Sequence, residues 1–422
     1  MPAATLFQIV VGIIGSLTTT LCALAYFRHI RLTRPPIGTF NARDLTVLAC
    51  FIVTLPVLYV TLPAGVLTGF LVLTFFSALM IALRPLFSAR TLLVAVPVLL
   101  TANLAVTRSM DDIAGGLQVY WVLTSVVVLV AAVGVANLYV QGGLELRHIA
   151  WFAVFVGIYD VVFTRFIPLT PELAVALQGR PLDPSVGFAA GGYNANVGLG
   201  DLLVFCLYAT AAARGFGRRG VVVSLVVITV FGAVAPSVTP LLVPGLFGTT
   251  AAAFVPVMTL FAPAALTGYL WLSRTTSERR VWQWVAETAL PARRPGPARV
   301  GMALPAVALA VLASATFALS GEATPTNAAA PPPAPATGCR VAVAMHDVAF
   351  RSHDVKVRLG QTIVWTNQDR VPHDVVATSG ARFDSGNLNA GGSFEYRPTA
   401  AGTIAYVCTL HQGMDGMITV TR

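Results

Sequence analysis

Near its C-terminal end the sequence gathers sulfur and nitrogen donors at short, regular spacing. In "YVCTLHQGM", Tyr406 to Met414, Cys408 is followed three residues on by His411 and three further on by Met414. A second histidine, His373, stands in "RVPHDVV", 35 residues before Cys408. Soft sulfur suits Cu(I) and imidazole accepts Cu(II), so two imidazoles, one thiolate and a weak thioether are the ligands of a blue copper centre. Such a set, held rigidly, changes oxidation state with little rearrangement, which favours fast electron transfer. The competing account pairs Cys408 with Cys339 in a disulfide and makes Met414 core filler, and it leaves the offsets of both histidines unexplained.

A second constellation is acidic. Of the eighteen Asp and Glu, only Asp160 in "FVGIYDVVF" and Asp201 in "VGLGDLLVF" fall inside long apolar runs. A carboxylate in hydrocarbon costs several kcal/mol, so each is a functional candidate. Two carboxylates brought close share a proton, leaving one as base and the other as acid, the arrangement by which aspartic proteases activate water. The pair is equally compatible with a proton-coupled transporter or a cation site.

The elements that must position these residues differ in kind. The 422 residues are 56% hydrophobic and 11% charged with a mean hydropathy of +0.76, which excludes an ordinary soluble domain for most of the chain. Apolar runs near the ~20 residues that cross a bilayer occur at 5–27, 45–62, 66–83, 91–106, 117–140, 149–164, 196–213, 221–243, 251–273 and 300–320. The spacing predicts ten spans, the first retained as a helix because no basic region precedes it. The net charge of +9 comes from Arg spread over short loops, which argues against nucleic acid as a partner. Sixteen Arg fall in alternate loops and three, Arg108, Arg165 and Arg180, in the intervening ones. The positive-inside rule then places the N-terminus and the C-terminal region outside a prokaryotic cell membrane, with the bilayer itself as a partner.

After the tenth run, Gly321 to Gly338, "GEATPTNAAAPPPAPATG", cannot bury a core and reads as a semi-rigid tether. Residues 339–422 then alternate in short segments such as "DVKVRLG", "QTIVWTN" and "GTIAYVC" between Gly, Asn and Pro turns, the pattern of an all-β sandwich. The fold class expected is therefore a polytopic α-helical membrane domain followed by an all-β sandwich.

Residues 339–422 resemble the cupredoxins of the plastocyanin and amicyanin type, through "GQTIVWTNQDRVPHDVV", "AGTIAYVCTLHQGM" and the closing strand. The resemblance implies one type 1 copper on His373, Cys408, His411 and Met414, a redox partner protein, and Asn367 bracing the copper loop through hydrogen bonds. The short Cys-to-Met loop is similar to amicyanin's and favours Met414 over Met417 as axial ligand. Leu410 stands where these loops usually carry proline, and His346 and His353 are expected on the surface.

"YD" at Tyr159–Asp160 and "GLGD" at Gly198–Asp201 resemble the two signatures of the presenilin and signal peptide peptidase family, which lie on helices six and seven of nine. That resemblance implies an intramembrane aspartyl endopeptidase with Asp160 and Asp201 catalytic, Tyr159 supporting them, and Gly198 and Gly200 loosening the backbone beside the substrate. Its third signature, Pro-Ala-Leu at the start of helix nine, is not intact: Pro256 fits by position and Pro263 by letters. The outward N-terminus implies type II membrane proteins as substrates. The expected domains are 1–273, nine-helix and presenilin-like; 274–299, a cytoplasmic connector in which "VWQWVAETAL" forms an interfacial helix; 300–320, the tenth helix; 321–338, the tether; and 339–422, the cupredoxin. The rival arrangements are an inactive helical anchor for the copper domain, or a copper-handling transporter that it serves. Cys22, Cys50 and Cys206, inside spans, read as packing residues.

Overall fold

The computed structural model describes residues 3–32, 40, 42–109, 116–166, 180–190, 193–242, 256–279, 340–346, 349–369, 373–386, 388, 391–408 and 414–421. The first part is helical: α1 (Ala3–His29), α2 (Ala42–Thr61), α3 (Ala64–Leu83), α4 (Ala89–Ser109), α5 (Gly116–Gln141) and α6 (Leu146–Val161), the last running into a π turn, Val162–Phe166. A hairpin follows, β1 (Ser185–Ala190) antiparallel to β2 (Tyr193–Gly198). Then come α7 (Leu199–Val227), a π-helical stretch (Ile228–Val234), α8 (Ala235–Leu242) and α9 (Val257–Thr275).

These helices are apolar on both their inner and outer faces, the composition of a membrane bundle rather than of a surface helix. On α4, Leu92, Val96 and Leu100 are buried at four-residue spacing while Leu93, Val94 and Val98 are exposed. Among the described residues six helical stretches are long and apolar enough to cross a membrane. One of them, Leu199–Thr239, is 41 residues long and holds both the seventh and eighth expected spans. Gly217 divides it: its backbone is non-helical at φ 59°, a left-handed value that glycine adopts without a side-chain penalty. Helices α2 and α9 occupy the second and ninth expected runs, α9 reaching Thr275 within the expected connector; the connector from residue 280, with "VWQWVAETAL", the tenth run and the tether, lies outside the described residues.

One boundary differs from expectation. The seventh run was to begin at residue 196 as helix, but 196–198 belong to β2 and the helix starts at Leu199. Pairing with β1 satisfies these backbone groups, register Ser185 opposite Gly198, and Gly198, extended at ψ 148°, is the N-cap of α7. The Ser125 hydroxyl on α5 meets both the N–H and the carbonyl of Gly187, each at 3.2 Å, and ties the hairpin to the bundle.

Helices α6 and α9 pack against each other at Gly157, where a Cβ would lie 3.0 Å from Ala262 Cβ and from the Met258 carbonyl oxygen. Small residues at such a crossing let backbones approach closely, and here they bring the start of α9 beside the end of α6.

The C-terminal part is a β-sandwich of eight described strands: β3 (Arg340–His346), β4 (Ala349–Arg351), β5 (Asp354–Arg358), β6 (Thr362–Asn367), β7 (Val376–Ser379), β8 (Ser393–Tyr396), β9 (Gly402–Val407) and β10 (Asp415–Thr421). One sheet runs β4-β3-β6-β8 and the other β5-β10-β9-β7, with β3–β6 and β5–β10 parallel and the other pairs antiparallel. Burial alternates residue by residue along β5 and β6, as period-two strands with one face inward require. Trp365 fills the centre, edge-on to Tyr406 at 5.3 Å between ring centroids.

At the surface His353 links β5 to β10, its Nε2 3.2 Å from Asp415 Oδ2 and its Nδ1 3.1 Å from Asp354 Oδ1. Those bonds, Asp415's first, raise its pKa above the ordinary histidine value. A group raised on folding adds stability that is fully present below its unfolded pKa, ~6.5, and is lost as pH rises through the folded value. Replacing His353 by Gln should flatten that dependence: the thermal midpoint of the β-sandwich, followed against pH in the full chain, should fall with rising pH in wild type and not in the variant.

Candidate functional site

Cys408 directly follows β9, Met414 directly precedes β10, and the Cys408 N–H donates to the Met414 carbonyl at 2.8 Å, which ties the two residues together. His373 is held on the neighbouring segment by paired backbone bonds with Leu388, 3.0 and 2.6 Å. These anchors bring His373 Nδ1 to 3.7 Å from Cys408 Sγ. All three side chains are withdrawn from solvent: His373 is 0%, Cys408 3% and Met414 2% exposed. Met417, by contrast, is 38% exposed on β10, which separates it from the buried donors. His411 and Leu410 lie outside the described residues, as does Cys339.

The protonation of the donors follows from their partners. His373 Nε2 lies 2.9 Å from Asp369 Oδ2. A carboxylate only accepts, so Nε2 carries the proton and Nδ1 turns its lone pair towards Cys408. Burial lowers the His373 pKa, with Asp369 acting in the opposite sense, which keeps the imidazole neutral, as a metal ligand must be. The backbone N–H of Asp374 donates to Cys408 Sγ at 3.5 Å and favours its thiolate form.

Residues 337–421 match the family described as copper binding proteins, plastocyanin/azurin family. Over 119 residues the chain is 31% identical to amicyanin-alpha of Methylorubrum extorquens, a match that covers 27% of this chain and 94% of that protein. The chain belongs to the plastocyanin/azurin family of copper-binding proteins. Plastocyanin of Scenedesmus fuscus is 35% identical over 85 residues, 17% of this chain and 87% of that one. A solved Cu(I) form of an amicyanin mutant aligns at 26% identity over 21% of this chain and 87% of its own, with a TM-score of 0.20.

Membership of the plastocyanin/azurin family implies a copper cofactor, and the residues present fit one: a buried thiol and a buried imidazole face each other, with a buried methionine whose carbonyl accepts the Cys408 N–H. Asn367 is fully buried and its side-chain N–H donates to the Leu388 carbonyl at 2.8 Å, while its Oδ1 accepts from the Asp369 N–H at 2.8 Å. Those bonds brace the segment that carries His373. His346 and His353 are exposed, and His346 Nδ1 stands 3.4 Å from Asp369 Oδ1. Asp369 is the residue the motif reading passed over; its signal was an acid four positions before His373 in "DRVPH".

In the helical part, Asp160 sits in the last turn of α6 and Asp201 in the first turn of α7, on helices that pack against each other. Met258, in the first turn of α9, lies beside α6, its carbonyl oxygen 3.0 Å from where a Cβ on Gly157 would stand. Pro256 is the N-cap of α9, whereas Pro263 lies inside it. The Tyr159 ring stacks on Phe163 at 4.4 Å, and its buried hydroxyl has no hydrogen-bond partner among the described residues. A Cβ on Gly198 would lie in ordinary contact with Asp201 Oδ2 at 3.8 Å, and one on Gly200 would meet nothing within 4 Å.

Proposed function

We propose that this chain is a membrane-bound blue copper protein in which His373, Cys408, His411 and Met414 hold one type 1 copper and exchange electrons with redox partner proteins. The observation that carries the reading is the approach of His373 Nδ1 to Cys408 Sγ, 3.7 Å, with both side chains buried. A bound copper ion supplies one-electron chemistry, alternating between Cu(II) and Cu(I). The protein's share is to hold soft and nitrogen donors on rigid strands, so that neither state rearranges the site. The arrangement of parts follows the sequence: helices to residue 273, connector 274–299, a tenth helix 300–320, tether 321–338, and the copper domain outside a prokaryotic cell membrane. The copper-loaded full chain should lose its colour on adding one electron equivalent and regain it on reoxidation; colour that does not cycle contradicts electron transfer.

A second activity is favoured by a separate observation. Asp160 in the last turn of α6 and Asp201 in the first turn of α7 stand on helices that pack against each other. We propose that they act as an intramembrane aspartyl dyad on a presenilin-like core, one carboxylate activating water while the other protonates the peptide carbonyl. Type II membrane proteins are the substrates that an outward N-terminus suits. Asp201 alone has a simpler account, because a helix start favours an acidic residue. Asp160, at the end of α6, has the opposite placement, and no such account covers it.

A further inference from the structure

We infer that Asp369 is a positioning residue of the copper centre: its carboxylate fixes the tautomer and orientation of His373 and so sets the copper reduction potential. The inference rests on the copper reading above and goes beyond its ligands.

The geometry is that of a carboxylate–histidine–metal relay. His373 Nδ1 faces Cys408 Sγ at 3.7 Å, and the opposite ring nitrogen, Nε2, faces Asp369 Oδ2 at 2.9 Å. The second carboxylate oxygen, Oδ1, lies 3.4 Å from Nδ1 of His346, so each oxygen of Asp369 meets an imidazole, one buried and one exposed. The carboxylate itself is rigidly placed. Asp369 follows the end of β6, where its N–H donates to Asn367 Oδ1 at 2.8 Å and the Gln368 N–H donates to the Met345 carbonyl at 2.9 Å. His373 is pinned in turn by its backbone pairing with Leu388, the residue whose carbonyl also receives the Asn367 side chain. Asn367 thus positions Asp369 directly and steadies His373 through Leu388.

The charge on Asp369 has two effects. A carboxylate accepting the Nε2–H makes the imidazole a stronger donor at Nδ1, and a stronger nitrogen donor stabilises Cu(II) more than Cu(I). Removing that bond also strands an Nε2–H in a site with no solvent access. An outer partner of this kind is worth about 10–100-fold in metal affinity.

The test uses the full chain in detergent, loaded with copper alone. Asp369→Asn keeps the shape and an acceptor oxygen but loses the charge. It should remain blue while its potential rises, by about 59 mV for each tenfold loss of Cu(II) affinity not shared by Cu(I). Asp369→Ala should bind Cu(II) about 10–100-fold more weakly. Before copper is added, nitrogen NMR of the six histidines in wild type should show His373 protonated at Nε2; this reading does not depend on any variant folding. A blue Asp369→Asn chain with an unchanged potential, or a His373 protonated at Nδ1, overturns this inference alone. A wild-type chain that takes up no copper overturns the copper reading and this inference with it.

Discussion

Replacing Cys408 by Ser abolishes the visible colour of the copper-loaded chain. The colour of a blue centre belongs to the copper–thiolate bond, and serine offers a hard oxygen that stays protonated near neutral pH, so the loss should be complete rather than partial. The structure gives the sulfur a specific environment that serine cannot use. Cys408 is 3% exposed, receives the Asp374 N–H at 3.5 Å and lies 3.7 Å from His373 Nδ1. The substitution is small and keeps the backbone bond to Met414, so the β-sandwich should persist. Absorption spectra before and after copper addition, with circular dichroism as the folding control, check the outcome; an unchanged spectrum removes Cys408 from the ligand set.

The second large effect belongs to the membrane part. Replacing Asp201 by Ala should eliminate photolabelling of the full chain by an aspartyl-protease transition-state analogue, and replacing Asp160 should do the same. Carboxylates that share a proton act as a unit, so losing one member removes as much as losing both. The analogue's hydroxyl needs one ionised and one protonated carboxyl, a state that a lone Asp does not supply. Asp201→Asn keeps the side-chain volume at the start of α7 and separates chemistry from packing. Labelling that persists in both variants, or that never occurs in well-folded wild type, returns the helices to the role of anchor.

Much of the fold is legible in the sequence. The strand pattern in "DVKVR" and "TIVWTN" alternates because one face of each strand is buried, and the structure buries Val355, Val357, Ile363 and Trp365 accordingly. The apolar runs located most helices for an equally local reason, since composition alone marks a chain that lies in hydrocarbon. Composition hid the change from strand to helix at Gly198. Residues 196–198 lead without a charge or a proline into the run at 199–213, and their strand state depends on β1, a partner that no periodicity in the run reveals. The kink at Gly217 is equally silent: the Arg-rich loop expected at 214–220 is largely a continuation of α7, interrupted at a single left-handed residue.

The site divides in the same way. His373, Cys408 and Met414 declared themselves by donor type and spacing; the fold sets His373 Nδ1 3.7 Å from Cys408 Sγ and buries all three side chains. Asp369 was passed over because an acid in a turn reads as a solvated residue. Only the distance of 2.9 Å to His373 Nε2 gives it a role. The Asp374 bond to Cys408 is made by a backbone N–H, which leaves no mark in residue type at all. For the carboxylates, the sequence offered both Pro256 and Pro263. The structure makes Pro256 the N-cap of α9 and puts Pro263 inside the helix, a difference that the letters of the two motifs do not show.

The central claim is a single copper held by a thiolate and imidazoles at the end of the β-sandwich. Titrating the metal-free full chain with Cu(II), while recording bound metal and visible absorption together, tests it most directly. The account predicts one tightly bound copper per chain, with colour rising in proportion and reaching its limit at that stoichiometry. Copper that binds without colour, or a chain that binds none while Cys408 remains open to alkylation, would contradict it.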